Sequence, residues 1–212
     1  MLPGLNLKAM ETSKKYDKFS KFYDTFETSM EKSKFGKWRA MVFNMVPTGS
    51  SLLEVGVGTG KNISYYGEDV NVTAIDFSKG MLDRAREKAK ASPEKKVNLL
   101  QMDVASLEFP DDYFDFVVST FVFCTVPDPM AGFKEIKRVL KPDGKAIFLE
   151  HMRSAAWYNN LLLYAMSSMS IPLIGTSMVR KTKQSIQESG FQVVEEKNLF
   201  SDIVKLLVCS KK

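Results

Sequence analysis

Apolar positions along the chain change period several times, and each change marks an element. Over residues 16–46, Tyr16, Phe19, Tyr23, Phe26 and Met30 recur at spacings of three or four with charges between them, which predicts an amphipathic helix. Pro47-Thr48-Gly49 ends it. A short apolar run at 51–55 closes in glycines, and a helix is expected to begin over 62–66. Further strands are predicted at 70–75, 97–102, 116–122 and 145–150, with helices at 79–91 and 129–140 among them. Lys141-Pro142-Asp143-Gly144 has the composition of a turn. The run at 116–122 is uncharged, so burial on both faces is expected. After a long helical stretch come two closing strands at 191–196 and 203–210. Strands alternating with helices imply an α/β fold with a mainly parallel sheet and helices on both faces. The two consecutive last strands imply an antiparallel pair at one edge.

One stretch breaks this rhythm. Residues 154–179, between Arg153 and Arg180, contain no charged side chain. That length would reach across a bilayer. Asn159, Asn160, four serines from Ser167 to Ser177, Thr176, Pro172 and Gly175 within it argue against a spanning helix. A helix pair on the sheet, a hydrophobic acceptor pocket and a membrane-contacting cap all remain open.

Composition narrows the class. At 212 residues, with 44% hydrophobic and 26% charged residues, the chain has the make-up of one globular domain and neither a disordered nor a polytopic membrane protein. The net charge of +5 is unevenly spread. Residues 1–46 hold nine Lys/Arg against five Asp/Glu, residues 47–150 thirteen against sixteen, and residues 151–212 eight against four. An acidic middle between two basic ends is not the pattern of a nucleic-acid binder. It fits ends that meet an anionic lipid surface, or simply lysines that solubilise. Cys124 and Cys209 lie far apart in apolar runs and His151 is the one histidine, so neither a zinc site nor a disulfide scaffold is expected. The first twenty residues lack an apolar stretch before a cleavage site, so a cytoplasmic protein is expected.

The chemistry concentrates after the first strand, in Leu52-Leu53-Glu54-Val55-Gly56-Val57-Gly58-Thr59-Gly60. Glycines there let the backbone turn sharply and approach a ligand. Their spacing is G-x-G-x-G rather than the G-x-G-x-x-G of a pyrophosphate-binding loop, and Glu54 suits a cationic ligand such as an ammonium or a sulfonium. Asp76 ends the second strand, where an acid can accept both hydroxyls of a ribose. Asp103 ends the third, where it can accept from an adenine amino group while Met102 packs on the ring. Singly, each acid is also what a strand end or a helix cap uses. Together with the glycine loop they form a constellation.

On these motifs the sequence resembles the class I S-adenosylmethionine-dependent methyltransferases. LLEVGVGTG, AIDFSKGML, QMDV, DYFDFVV and RVLKPDGK carry the resemblance over residues 50–150. It implies a Rossmann-like sheet of seven strands with the last antiparallel, and a helical cap at 1–46. The cofactor-binding core would be 47–150, and 151–212 an acceptor-side segment with the closing strands, all within one compact domain. It implies S-adenosyl-L-methionine as cofactor, with Glu54, Gly56, Gly58 and Gly60 around the methionine moiety and Asp76 on the ribose. Phe77 and Met81 would lie near the ribose, Met102, Asp103 and Val104 at the adenine, and Thr120 behind the fourth strand. VGVGTGKN, VFCTVPDP, FLEHMRS and the opening KYDKFSKFYD are similar to the branch of bacterial phosphatidylethanolamine N-methyltransferases, quinone C-methyltransferases and membrane-associated thiol methyltransferases. That resemblance would turn Tyr16 and Tyr23 toward cofactor and acceptor, although their spacing equally suits core packing.

Methyl transfer from a sulfonium asks mainly for alignment and exclusion of water. An amine acceptor must also shed a proton, which burial beside a cation makes easier. Tyr16, Tyr23 or His151 could take that proton or orient the nitrogen. Cys124, without a paired base, is expected to line the pocket only. The uncharged segment and the basic ends point to a hydrophobic or membrane-associated acceptor, best a phospholipid amine, with a quinone or a thiol as alternatives. A dehydrogenase is disfavoured by the glycine spacing and Glu54. A non-catalytic cofactor-binding module is the remaining rival.

Overall fold

The computed structural model describes residues 16–17, 34–174 and 176–212, the side chains at 162, 166 and 169–174 excepted. The elements are α1 (Gly36–Phe43), β1 (Ser51–Val55), β2 (Asn71–Asp76), α2 (Lys79–Ala91), β3 (Val97–Gln101) and β4 (Phe114–Thr120). They continue with α3 (Pro129–Val139), β5 (Leu140–His151), α4 (Trp157–Ile174), α5 (Thr182–Glu188), β6 (Phe191–Phe200) and β7 (Val204–Lys211). Seven strands form one sheet in the order β3-β2-β1-β4-β5-β7-β6. The first five are parallel, while β7 runs antiparallel to both β5 and β6.

Period-two alternation sorts the apolar side chains to two faces. Leu52, Ala74, Val118, Ile147 and Leu206 join Val42 and Phe43 of α1 and Leu82 and Ala85 of α2. Leu53, Ile75, Val117, Phe148 and Leu207 join Phe133 and Ile136 of α3 and Ile186 of α5. The order reverses at β1, which pairs with β2 on one side and β4 on the other. Such a switch point opens a crevice at the carboxyl ends of the strands.

Local chemistry fixes the helix starts. The Ser78 hydroxyl accepts the Met81 N–H at 3.2 Å to cap α2, and Asp128 accepts the Ala131 N–H at 3.0 Å to cap α3, with Pro129 next to it.

Several boundaries differ from the sequence expectation. The helix expected over 16–46 ends at Phe43, and Phe19, Tyr23, Phe26 and Met30 of its stripe lie outside the described residues. In place of a helix over 62–66 there is one 3-10 turn, Ile63–Tyr65, because the Asn62 side chain is drawn into a buried network and Tyr66 is already extended. Strand β4 stops at Thr120, where Phe121 takes a positive φ of 59°. The expected turn at 141–144 is instead absorbed into β5 as a register irregularity: Phe114 pairs with Leu140, but Phe116 pairs with Lys145. The uncharged stretch forms one helix, α4, where a pair was among the expectations.

Candidate active site

The cleft at the β1/β4 switch point holds about 910 Å³ of empty space, its open mouth included. The carboxyl ends of β1, β2 and β3 supply Gly56, Gly58, Asp76, Phe77, Met102, Asp103 and Val104, and α2 adds Met81. The segment after β4 supplies Phe121, Val122, Thr125, Val126 and Pro127, and Tyr16 and Arg39 come from the N-terminal part.

The glycine loop is shaped by necessity. Gly56, Gly58 and Gly60 have φ of 70°, 56° and 79°, a region that L side chains rarely adopt. A Cβ on Gly56 would stand 2.4 Å from a Val122 methyl carbon. On Gly58 it would meet nothing within 4 Å, because that position faces open space. The loop thus presents bare backbone to a ligand.

Asp76 organises this end of the sheet. One carboxylate oxygen accepts the Gly58 N–H at 2.9 Å and the other the Ser78 N–H at 2.9 Å. Burial pushes its carboxyl up to about 6, against the pull of those hydrogen bonds, and the neighbouring Asp17 charge adds to the rise. Asp17 accepts the Gly80 N–H at 2.9 Å and the Ser78 hydroxyl at 2.6 Å, which ties Asp17 to the start of α2. The Asp103 carboxylate accepts the Ala105 N–H at 2.9 Å and closes its own turn. Between the acids, Met81, Met102 and Val104 are buried and form an apolar slot.

Glu54 is placed differently from its sequence expectation. It is fully buried and off the cleft wall. It accepts the Asn62 amide at 2.5 Å and the Tyr66 hydroxyl, and burial raises its carboxyl despite these partners and the Arg39 charge. Asn62 also donates to Thr120 at 2.9 Å, and Arg39 donates to Asn62 at 2.7 Å and Thr120 at 3.2 Å. This network carries the influence of Glu54 to the cleft through Asn62, Thr120 and Arg39, which do line it. Gly60 is also off the wall, where a Cβ would meet Ile63 and the Ala85 backbone.

The side of the cleft beyond β4 has a different character. Phe121, Val122, Thr125, Val126, Pro127 and Tyr16 form it, and none of the six carries a charge; the Arg39 guanidinium borders it, 5.8 Å from the Phe121 ring. The Tyr16 hydroxyl lies 3.3 Å from the Thr176 hydroxyl, and its ring meets Phe77 edge-on at 6.1 Å. Burial pushes its phenol well above the ordinary range, which keeps the hydroxyl protonated. His151 is half-buried against the Phe121 ring at 4.8 Å and is not on the wall. Cys124 is buried behind it rather than lining it as expected. Tyr23 lies outside the described residues.

Beneath this side sits Glu150, fully buried at the end of β5. It accepts the Ser119 hydroxyl at 2.7 Å, the Val122 N–H at 3.0 Å and the Phe123 N–H at 3.2 Å. Burial drives its carboxyl up to about 7, opposed by those donors and the Arg180 charge.

Sequence reading therefore missed Arg39, Asn62, Tyr66 and Glu150. Two of them left a signal: Arg39 is the single charge in the apolar run 38–46, and Glu150 ends an apolar strand. A charge embedded in buried pattern needs partners. Asn62 and Tyr66 carried none, because nothing local tells an amide or a phenol which carboxylate it will meet.

Comparison with known proteins agrees with this geometry. A family model described as "Methyltransferase domain" matches residues 53–148. A phosphatidylethanolamine N-methyltransferase of Cereibacter sphaeroides is 44% identical over 104 residues, a match covering 49% of this chain and 51% of that protein. A demethylmenaquinone methyltransferase of Bacillus cereus is 32% identical over 185 residues, covering 82% of this chain and 77% of the other. Among solved structures, an S-adenosylmethionine-dependent methyltransferase of Thermotoga maritima, titled a possible histamine N-methyltransferase, superposes with a TM-score of 0.70 at 18% identity, covering 93% of this chain and 99% of that one, which shows the fold alone. Sequence relationship along most of the chain, the seven-stranded sheet and a bare glycine loop sharing the cleft with acids at two strand ends agree. The chain belongs to the class I S-adenosylmethionine-dependent methyltransferases.

Proposed function

We propose that the protein methylates the amine of phosphatidylethanolamine and its methylated derivatives. The observation that carries this reading is the uncharged cleft side after β4. It shares the cleft with the acid-bearing cofactor side, and no carboxylate or imidazole lies on it among the described residues. Amine methylation tolerates that arrangement. The nitrogen loses its proton because burial beside a cation lowers its pKa, and the proton can leave to water. Forming a carbon–carbon bond on a quinone precursor asks for a phenolate and a base beside it. The partial match to a phosphatidylethanolamine N-methyltransferase supports the amine. The longer match to a demethylmenaquinone methyltransferase supports quinone C-methylation as the second reading, in which His151 behind Phe121 would be the base.

The residues present fit S-adenosyl-L-methionine. Asp76 keeps acceptor capacity for the ribose hydroxyls after binding two N–H groups, since a carboxylate offers about four lone-pair sites. Asp103 and the Met81–Met102–Val104 slot suit the adenine, and the Gly56–Gly58 backbone with Arg39 and Lys61 suits the amino-acid end. When bound, the cofactor supplies an electrophilic methyl group whose bond to sulfur breaks as the bond to the acceptor forms. The chain's own task is alignment and exclusion of water: Phe121, Val122 and Tyr16 wall the approach line, and the Tyr16 hydroxyl can donate to the acceptor head group. Peripheral contact with a membrane belongs to the same reading, because the two ends of the chain carry its basic excess and meet where the Tyr16 hydroxyl lies 3.3 Å from the Thr176 hydroxyl.

The test supplies the protein with methyl-labelled S-adenosyl-L-methionine and vesicles containing phosphatidylethanolamine, with a demethylated quinone and an alkyl thiol in parallel. Label is expected in mono-, di- and trimethylated lipid. Label confined to water-soluble amines would refute a lipid acceptor.

A further inference from the structure

Helix α4 turns an aromatic ridge outward. Trp157, Tyr158, Leu161 and Tyr164 are 77%, 63%, 68% and 50% exposed. At 100° per residue they fall within one third of the helix circumference, while Leu163 and Ser167, on the other side, are buried. Phe200, 48% exposed at the β6–β7 turn, adjoins the start of the ridge, because Asp202 accepts from Ser154, Ala155 and Asn159.

We propose that this ridge is a docking surface for an anionic phospholipid bilayer, lying in the plane of the interface. Three observations select that occupant. Tryptophan and tyrosine with a few aliphatic residues are the side chains favoured at the head-group boundary, and no helix among the described residues is long and apolar enough to cross a membrane. The ridge lies in the stretch 154–179, which has no charge of either sign, and its rim is cationic. Arg153 is exposed next to the start of the ridge, and the Lys34 ammonium sits 4.9 Å from the Phe200 ring. Asp202, the acid at this end, is already taken up by the first turn of α4. Area argues against a second copy of the chain: the ridge offers roughly 500 Å² of apolar surface if each ring contributes its exposed share of about 150–250 Å², short of the about 800 Å² per partner of a stable interface.

The biological use of the surface rests on the lipid-acceptor reading, but its test does not. The chain has two tryptophans, and Trp38 is buried in the core, so Trp157 alone reports on the ridge. Intact protein without cofactor is mixed with phosphatidylcholine vesicles containing phosphatidylglycerol and no phosphatidylethanolamine. The expected result is a blue shift of Trp157 emission, co-sedimentation with the vesicles, and binding that weakens as phosphatidylglycerol is removed. Trp157→Ser with Leu161→Ser should reduce vesicle binding roughly tenfold or more and leave the melting temperature and cofactor affinity unchanged. Vesicle binding by that double variant equal to the parent's would overturn the proposal. So would a parent dimer in sedimentation velocity that the variant converts to monomer. Vesicle binding without methylation of phosphatidylethanolamine would sink the acceptor reading and leave the surface standing.

Discussion

Replacing Asp76 by asparagine separates what this carboxylate does for the fold from what it does for the cofactor. It is 7% exposed and its pKa rises from 3.8 to about 6, so holding it ionised above that pH costs about 3 kcal/mol. Because the folded state binds the proton more tightly, this penalty is absent below pH 3.8 and develops as pH rises through about 6. Asparagine removes the penalty but turns one N–H toward the Gly58 or Ser78 N–H, forfeiting a charge-assisted hydrogen bond of about 1.5–3 kcal/mol. The two effects nearly cancel, and the melting temperature near pH 8 should move by no more than about 4 °C. Cofactor binding has no such compensation. Losing the charged acceptor for the ribose hydroxyls should weaken it by about 2–4 kcal/mol, or roughly 30- to 1,000-fold. Calorimetric titration with S-adenosylhomocysteine measures this directly. The parent's affinity should also fall about tenfold per pH unit below about 6, since binding then needs the carboxylate deprotonated, while the variant's profile stays flat. Equal affinity in parent and variant near pH 8, or a flat parent profile, would refute the ribose assignment.

Other outcomes follow from the same geometry. Gly56→Ala must accommodate a Cβ 2.4 Å from Val122 and should lower stability by about 1–3 kcal/mol in chemical denaturation. Gly58→Ala meets nothing within 4 Å, so its cost should appear mainly in cofactor affinity measured by titration. Glu150→Gln should raise the KM for the acceptor more than the cofactor Kd, because Glu150 holds the Val122 and Phe123 N–H groups of the acceptor-side wall. The parent should also lose stability as pH rises from 4.5 through about 7, the range in which the buried carboxyl ionises, and thermal melts of the glutamine variant should lack that slope. Arg39→Ala strips the buried network around Glu54 of its cation and should cost about 3–5 kcal/mol by denaturant titration.

How much of this was legible in the sequence depended on whether the signal was local. Strands β1, β2, β3 and β7 and helices α2 and α3 announced themselves by the period of their apolar positions, all within a few residues. The glycine loop was legible because positive φ selects glycine at the position itself. The end of β4 was not. Phe121 is a bulky residue at φ 59°, held there by packing against Phe35 and His151 and by its N–H to Leu149, contacts that span up to 86 residues. Glu54 shows the same limit: its spacing before the glycines suggested a ligand contact, whereas its two partners lie eight and twelve residues on. The opening imbalance of charge was legible only as a pattern. The structure brings the two ends together at one described point, where the Tyr16 hydroxyl lies 3.3 Å from the Thr176 hydroxyl.

A competition for label tests the identity of the acceptor most directly. Phosphatidylethanolamine and a demethylated quinone are placed at equal mole fraction in the same anionic vesicles with methyl-labelled S-adenosyl-L-methionine, and the lipid products are separated. An acceptor wall without a base predicts label in methylated phosphatidylethanolamine and none above background in the quinone. Label accumulating in the quinone, and lost in a His151→Ala variant, would contradict it.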